Sequence, residues 1–153
     1  MILAARARML ALDAVHEAQS GHVGGSLSAL DILTVLYWNV LNIDPADGKN
    51  PDRDRFVMSK GHCSPALYAA LALRGYFDPE ELKHFRNVNH HLSGHVEMRY
   101  VPGVDMSAGS LGQGLSAGAG MALAAKIDRR PYRTFVMMGD GEVAEGQIWE
   151  AAM

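Results

Sequence analysis

Cysteine is nearly absent from this sequence: Cys63 stands alone, so no internal disulfide can form and packing must hold the fold. A lone thiol also fits a reducing compartment, and a cytoplasmic location is expected. A strong excess of either charge is missing too. Fourteen Lys and Arg against 17 Asp and Glu give a net charge of −3, which leaves no basic stripe for nucleic acid, where binding rests on phosphate neutralisation. No apolar run reaches the ~20 residues of a membrane span. The N-terminus reads poorly as a signal peptide, because Arg6 and Arg8 sit inside its apolar repeat rather than ahead of it. Neither nucleic acid nor membrane is an expected partner. No Gly-Lys-Ser/Thr segment occurs, which rejects a Walker-type nucleotide site, and no internal repeat, low-complexity tract or linker interrupts the chain.

What is present is 153 residues, 48% hydrophobic and 20% charged, the balance of one globular domain. Sixteen glycines and 21 alanines favour close approach of backbones. Helical spacing of Leu3, Ala7, Leu10, Ala14 and Val15 predicts a helix over residues 2–19. Ser20-Gly21-His22-Val23-Gly24-Gly25 should break it, with a second helix capped by Ser26 or Ser28 and running to about Leu41. Arg55–Ser59 reads as a short buried strand. Gly61-His62-Cys63-Ser64-Pro65 then reads as a strand-to-helix turn, with Ser64 as N-cap and a helix stop at Gly75. Asp78-Pro79-Glu80-Glu81 repeats that start for a short helix to about Phe85. Residues 87–111 lack periodicity, and long irregular segments inside compact domains are usually functional. A glycine- and alanine-rich helix is expected from Gly112 to about Asp128. A buried strand from Tyr132 to Met138 should lead into Gly139-Asp140-Gly141-Glu142 and a terminal helix. Strand, glycine turn and helix make the βα unit, so the expected fold class is α/β, a parallel sheet sandwiched by helices. Gln147–Met153 reads as the interior of a helix without a stop signal, so residues 1–153 are expected to form one domain that is incomplete at its C-terminus.

The sharpest chemical signal is Gly139-Asp140-Gly141. Glycines behind a buried strand let the backbone approach a phosphate, and a helix N-terminus beyond them favours an anion. An aspartate between them repels a diphosphate unless a divalent cation bridges the two. A plain tight turn that tolerates aspartate is the other reading of the same residues. Gly112-Gln113-Gly114-Leu115-Ser116-Ala117-Gly118 mimics a dinucleotide fingerprint. Yet Val101–Ser110 ahead of it lacks strand character, and Phe135-Val136-Met137 stands where the acidic ribose partner is needed. Gly21-His22, Gly61-His62 and Gly94-His95 each put an imidazole at the end of an element, which suits a site lined by donors for a polyhydroxylated or phosphorylated ligand. The run His90-His91-Leu92-Ser93-Gly94-His95 is not read as a metal site, since Gly94 breaks helical spacing and no cysteine or carboxylate stands at ligand spacing. Cys63 is read as a small buried residue rather than a nucleophile. Glu142, Glu145 and Glu150 read as a solvated helix face, although Glu145 and Glu150 flank an apolar stretch.

Together these segments resemble the N-terminal, cofactor-binding part of transketolase. The segments, in order, are Ser20–Ser28, Met58–Tyr68, Leu92–His95, Val101–Asp105, Gly109–Gly114, and Gly139–Glu142 with Glu145-Gly146 and Trp149-Glu150-Ala151. The form is most similar to the split type, whose two halves are separate polypeptides. The resemblance implies thiamine diphosphate held through Mg²⁺ or another divalent cation, with Asp140 as the metal ligand. It implies cofactor binding by His62, Gly109, Ser110, Leu111, Gly139, Asp140, Gly141, Glu142 and Glu145, and catalytic roles for His22, His62 and His95. The activity implied is transfer of a two-carbon ketol unit from a ketose phosphate to an aldose phosphate, as in the pentose phosphate pathway. A C-terminal subunit or domain carrying the pyrimidine-binding side is the implied partner, in a homodimer or heterotetramer. Further metal ligands are then expected beyond Met153, and the isolated chain is expected to be inactive. Two alternatives stand beside this reading: an enzyme like deoxyxylulose-phosphate synthase, from which Lys60–Pro65 differs, and a non-catalytic fragment that only pairs with a partner chain.

Overall fold

Small apolar side chains at helical spacing put Ile2–Ala18 into one helix, α1, with a buried stripe of Ala4, Ala7, Ala11 and Ala14. The computed structural model of the protein describes residues 2–153. The alanine stripe lets α1 lie close to α2 (Val23–Val35) and α3 (Ser64–Arg74), and the three helices pack on one another. Helix α3 is buried continuously from Ser64 to Ala72 and ends at Gly75, whose φ of 100° makes the expected left-handed cap. Leu30, Leu33, Leu67, Tyr68 and Leu71 are each no more than 1% exposed, and each such burial contributes roughly 1.5–3 kcal/mol.

Against this layer lies a parallel sheet, in which β1 (Arg55–Met58) pairs with β2 (Thr134–Met137) in register, Val57 beside Val136. Pleating sends alternate residues to opposite faces. Phe56 and Met58 join the helical core, with the Tyr37 ring edge-on to Phe56 at 5.6 Å. Helix α4 (Gln113–Ile127) covers the other face, where Gly118 sits against Val136. Helix α5 (Gly146–Ala152) packs on α4. The sheet thus lies between helices, as the sequence pattern implied. Its N-terminal end is tied by Asp54, which accepts the Asn42 and Arg133 N–H groups at 2.9 and 2.7 Å. The outer edge of β1 is tied by Asp105, which accepts the Phe56 N–H at 2.8 Å and pairs with Arg53.

Several boundaries differ from expectation. Helix α2 begins at Val23, before either expected serine cap. Ser26 Oγ donates to the His22 carbonyl at 2.7 Å and Ser28 Oγ to the Gly25 carbonyl at 3.0 Å, so both hydroxyls bond back along the helix. A π-helical turn, Leu36–Val40, carries the chain to the expected end near Leu41. The continuous segment Val23–Val40 is long and apolar enough, by length and composition, to cross a membrane, but its Ala29, Leu30, Leu33 and Tyr37 are core residues here. Cys63 rather than Ser64 precedes α3, and Ser64 Oγ donates instead to the Gly94 carbonyl at 2.9 Å. The short helix after Asp78 is a 3₁₀ segment, Pro79–His84. Strand β2 is shorter than Tyr132–Met138 and half-buried over Thr134–Val136, because Asp54 takes the Arg133 N–H and the Tyr132 hydroxyl donates to the Met121 carbonyl. Another 3₁₀ turn, Glu142–Ala144, separates the glycine turn from α5. Gln147 therefore lies in the first turn of a helix, not its interior.

Candidate cofactor site

The chain leaves β1 and β2 side by side at their C-terminal ends, the usual place for a ligand in a parallel sheet. A cleft of about 230 Å³ opens there, walled by Lys60 and His62 behind β1, by Gly139, Asp140, Gly141 and Glu142 behind β2, and by Gly25, Ser28 and Leu111. Lys60 is 8% exposed. Its ammonium donates to the Gly25 carbonyl at 3.2 Å and reaches Ser28 Oγ at 3.5 Å. Among the described residues it forms no ion pair. Two of its three donors are engaged, so the buried ammonium keeps one for an anion in the cleft. The Asp140 carboxylate, on the same cleft, is exposed. A side chain at Gly141 would meet nothing within 4 Å, so that glycine leaves open space beside the backbone. An ammonium, a hydroxyl and open glycine backbone fit phosphate oxygens, and the Asp140 oxygens fit a hard divalent cation.

Glu142 has a different part. It is 2% exposed, and both oxygens are taken by the chain itself. Oε1 accepts from Ser59 Oγ and from the Gly112 N–H at 2.8 Å, while Oε2 accepts from the Gly139 N–H at 2.9 Å. Ser59 Oγ in turn accepts the Gly114 N–H at 3.1 Å. One carboxylate thereby ties the start of α4 to the turn that presents Asp140. Glu145, at the N-cap of α5, and Glu150 are exposed and stand outside the cleft wall. The anion-favouring helix N-terminus expected directly behind Gly139-Asp140-Gly141 is absent as well, since α5 starts only at Gly146.

The three glycine-histidine pairs converge. The His22 ring lies 4.9 Å from that of His62 and 6.5 Å from that of His95, centre to centre. Two glycines make this possible. Gly21 holds φ of 148°, and a Cβ on it would press on Val15 Cγ2 at 2.8 Å. Gly61 lies so close to Ala108 that a Cβ would overlap the Ala108 carbonyl. The Val96 N–H donates to the Gly61 carbonyl at 3.2 Å, which brings the His95 loop beside His62. Burial holds His62 below its ordinary pKa, reinforced by His22, His95 and Lys60 against a smaller opposing effect of Glu142. Burial, Arg86 and His22 do the same for His95. The neutral forms of His62 and His95 are thus favoured, each able to donate from one nitrogen and accept at the other. Gly109 and His95 border a second cavity, of about 390 Å³, with Arg86, while Leu111 borders the Asp140 cleft. The segment Gly109-Ser110-Leu111 thus bridges the two cavities, with Ser110 exposed. Cys63 is fully buried and burial pushes its thiol pKa up, consistent with a packing role.

Lys60 and Ser28 lie in segments of the resemblance without a role assigned to either, and the Ser59–Glu142 bond has no sequence signal. Lys60 immediately precedes Gly61-His62, but a lone lysine means little until the fold buries it. Ser28 is visible there as a candidate cap and as the end of the Ser20–Ser28 segment.

Comparison with known proteins agrees with the resemblance. The family described as transketolase, thiamine diphosphate binding domain, matches residues 2–153. A 6-deoxy-6-sulfo-D-fructose transketolase subunit from Clostridium sp. (strain MSTE9) is 51% identical over 95% of this chain and 53% of its own length. An apulose-4-phosphate transketolase subunit from Phocaeicola vulgatus is 48% identical over 93% of this chain and 50% of its own length. The solved transketolase from Leishmania mexicana superposes with a TM-score of 0.91 at 37% identity, over 97% of this chain and 24% of that one. The chain thus spans about half the length of the subunit relatives it matches and about a quarter of the solved structure. With its α/β fold, its cleft at the strand ends and its converging histidines, this chain belongs to the transketolase family, as a thiamine diphosphate binding domain.

Proposed function

We propose that this chain supplies the diphosphate and metal side of a transketolase active site, which transfers a two-carbon ketol unit from a ketose phosphate to an aldose phosphate once a C-terminal partner completes it. The observation that carries the proposal is a buried Lys60 ammonium, without an ion pair among the described residues, lining the same cleft as Asp140. Lys60 and Ser28 would hold the diphosphate, and Asp140 would hold Mg²⁺ or another divalent cation against it. Gly139 and Gly141 keep side chains out of the way, while Glu142 positions the turn from beneath. When bound, thiamine diphosphate supplies the carbanion chemistry. The protein's part is positioning and proton handling. His62 borders the cofactor cleft; His22 and His95, beside it, would bind substrate hydroxyls and hand protons to or from them. Gly109-Ser110-Leu111 would run along the cofactor between the two cavities.

A separate C-terminal partner chain is supported by relatives that are themselves named subunits. Those same names, one a sulfosugar and one a sugar phosphate, support a ketose with a terminal anionic group as substrate. A reducing, cytoplasmic setting and a dimer or heterotetramer complete the reading.

Calorimetry of thiamine diphosphate binding with and without Mg²⁺ tests it. Asp140→Ala should abolish the Mg²⁺-dependent part of binding, and unchanged binding would overturn the metal bridge. Glycolaldehyde transfer should require the partner chain; transfer by this chain alone would refute the division of labour.

A further inference from the structure

We propose that Glu81, His90 and His91 form a second, unrelated metal site, which takes a transition metal of the zinc class and clips the loop leading to His95 onto the Pro79–His84 turn. Glu81 belongs to that 3₁₀ turn. His90 and His91 stand on the following loop, bent by left-handed backbone at Arg86 and Asn89 (φ 63° and 64°) and closed by the Arg86 N–H donating to the Leu92 carbonyl at 2.8 Å. The bend turns both imidazoles toward one carboxylate. His91 Nε2 lies 3.3 Å from Glu81 Oε2 and His90 Nε2 lies 3.8 Å from the same oxygen. One ligand atom from each of the three residues falls within 4.8 Å of the others.

These spacings suit a metal with little rearrangement. Tetrahedral zinc with bonds of about 2.0–2.1 Å sets its ligand atoms about 3.3–3.4 Å apart. The His91–Glu81 pair already has that separation, and the His90–Glu81 pair must close by only a few tenths of an ångström. Two imidazoles with one carboxylate select zinc, copper, nickel or cobalt over Mg²⁺ or Ca²⁺, which prefer oxygen. The side chains are 22–35% exposed, and a cavity of about 370 Å³ beside His90 and His91 gives an entry path. His90 Nδ1 accepts the Leu92 N–H at 3.3 Å. Binding through Nε2 gives up this long contact as the proton moves to Nδ1, so His91 and Glu81 are the anchoring pair. The fourth position is open to water or to His84, whose ring lies 5.3 Å from that of His90.

Calorimetry with Zn²⁺ and absorption with Co²⁺, on the full-length chain, test the proposal. Wild type should bind one Zn²⁺ at this place, and Co²⁺ should show the intense visible bands of tetrahedral coordination. Glu81→Gln and His91→Asn, both at partly exposed positions, should each weaken Zn²⁺ binding at least tenfold. Amide exchange over residues 86–95 should slow on adding Zn²⁺ to wild type and stay unchanged in both variants. Absence of saturable Zn²⁺ binding would overturn the site. So would equal affinity in wild type and both variants, because the metal would then sit elsewhere, for instance on His22, His62 and His95.

Discussion

Removal of the Glu142 carboxylate separates a structural role for this residue from direct cofactor contact. In Glu142→Ala, the Gly112 and Gly139 N–H groups lose their acceptor inside the protein. An orphaned buried donor such as the Gly112 N–H costs about 1–3 kcal/mol, and the part-buried Gly139 N–H, on the cleft wall, falls at the low end of that range. The Ser59 hydroxyl still accepts from Gly114 but must find a new acceptor for its own proton. The sum is about 4 kcal/mol, and at about 2–4 °C per kcal/mol for a chain of this size it lowers Tm by about 8–16 °C. Glu142→Gln keeps one acceptor oxygen and turns an amide N–H₂ toward the other donor, so its cost is roughly half as large. Thermal unfolding followed by circular dichroism, with no cofactor present, gives the ranking wild type above Gln above Ala. If both variants melt within about 2 °C of wild type while thiamine diphosphate binding weakens, Glu142 is a direct ligand and the internal network carries little.

Three further outcomes follow from particular contacts. Gly118→Ala drives a Cβ into Val136 where α4 lies on the sheet, an overpacking expected to cost about 1–3 kcal/mol in urea unfolding; an unchanged midpoint would contradict the close α4–sheet contact. His62, held low by burial and by His22, His95 and Lys60, should titrate below the ordinary value of about 6.5 in NMR of the cofactor-free protein. The unfolded chain then takes up protons first, so stability falls as pH drops below about 6.5 and levels off beneath the folded midpoint; a midpoint above 6.5 would sink this. Burial alone would raise the Asp54 pKa, but its bonds to Arg133 and the Asn42 N–H outweigh burial and lower it. Its stabilisation is complete above about pH 4 and is lost as pH falls through the lowered value. Asp54→Asn should therefore flatten the acid limb of the stability curve.

The regular elements were legible wherever local pattern and tertiary packing agree. α1, α3 with its Gly75 stop, α4 and both strands appear within a few residues of expectation. At the expected serine caps the boundary moved because each hydroxyl donates to a carbonyl instead of accepting a capping N–H. Ser26, Ser28 and Ser64 look like caps, yet each hydroxyl bonds elsewhere once the chain folds. Glu142 looked like part of a solvated face because a helix was expected to start earlier; the 3₁₀ turn rotates it inward. At the site, Asp140 and the glycine-histidine pairs were legible because glycine beside a functional group is itself a local signal. Lys60 was not, because its meaning is its burial, and burial belongs to the fold. The same holds for His90 and His91, whose carboxylate comes from a preceding turn rather than from neighbouring sequence.

The cleft's charges argue that ligand and cation bind together. Lys60 and Asp140 wall the same cleft, one buried and one exposed. A diphosphate alone gains from the buried ammonium but meets the Asp140 carboxylate; a divalent cation alone gains from Asp140 but faces the ammonium. Both repulsions vanish when the two ligands are present together, because each neutralises the group that opposes the other. Affinity for each should therefore rise when the other is bound, by the same factor in either direction. Lys60→Met removes the ammonium while keeping the buried chain length. It should weaken thiamine diphosphate binding at least tenfold yet leave Mg²⁺ binding in the absence of cofactor equal or stronger. Calorimetric titration of each ligand, with and without the other, reads this directly. Equal weakening of both by Lys60→Met would mean that the lysine only props up the cleft, and the paired-charge argument would fail.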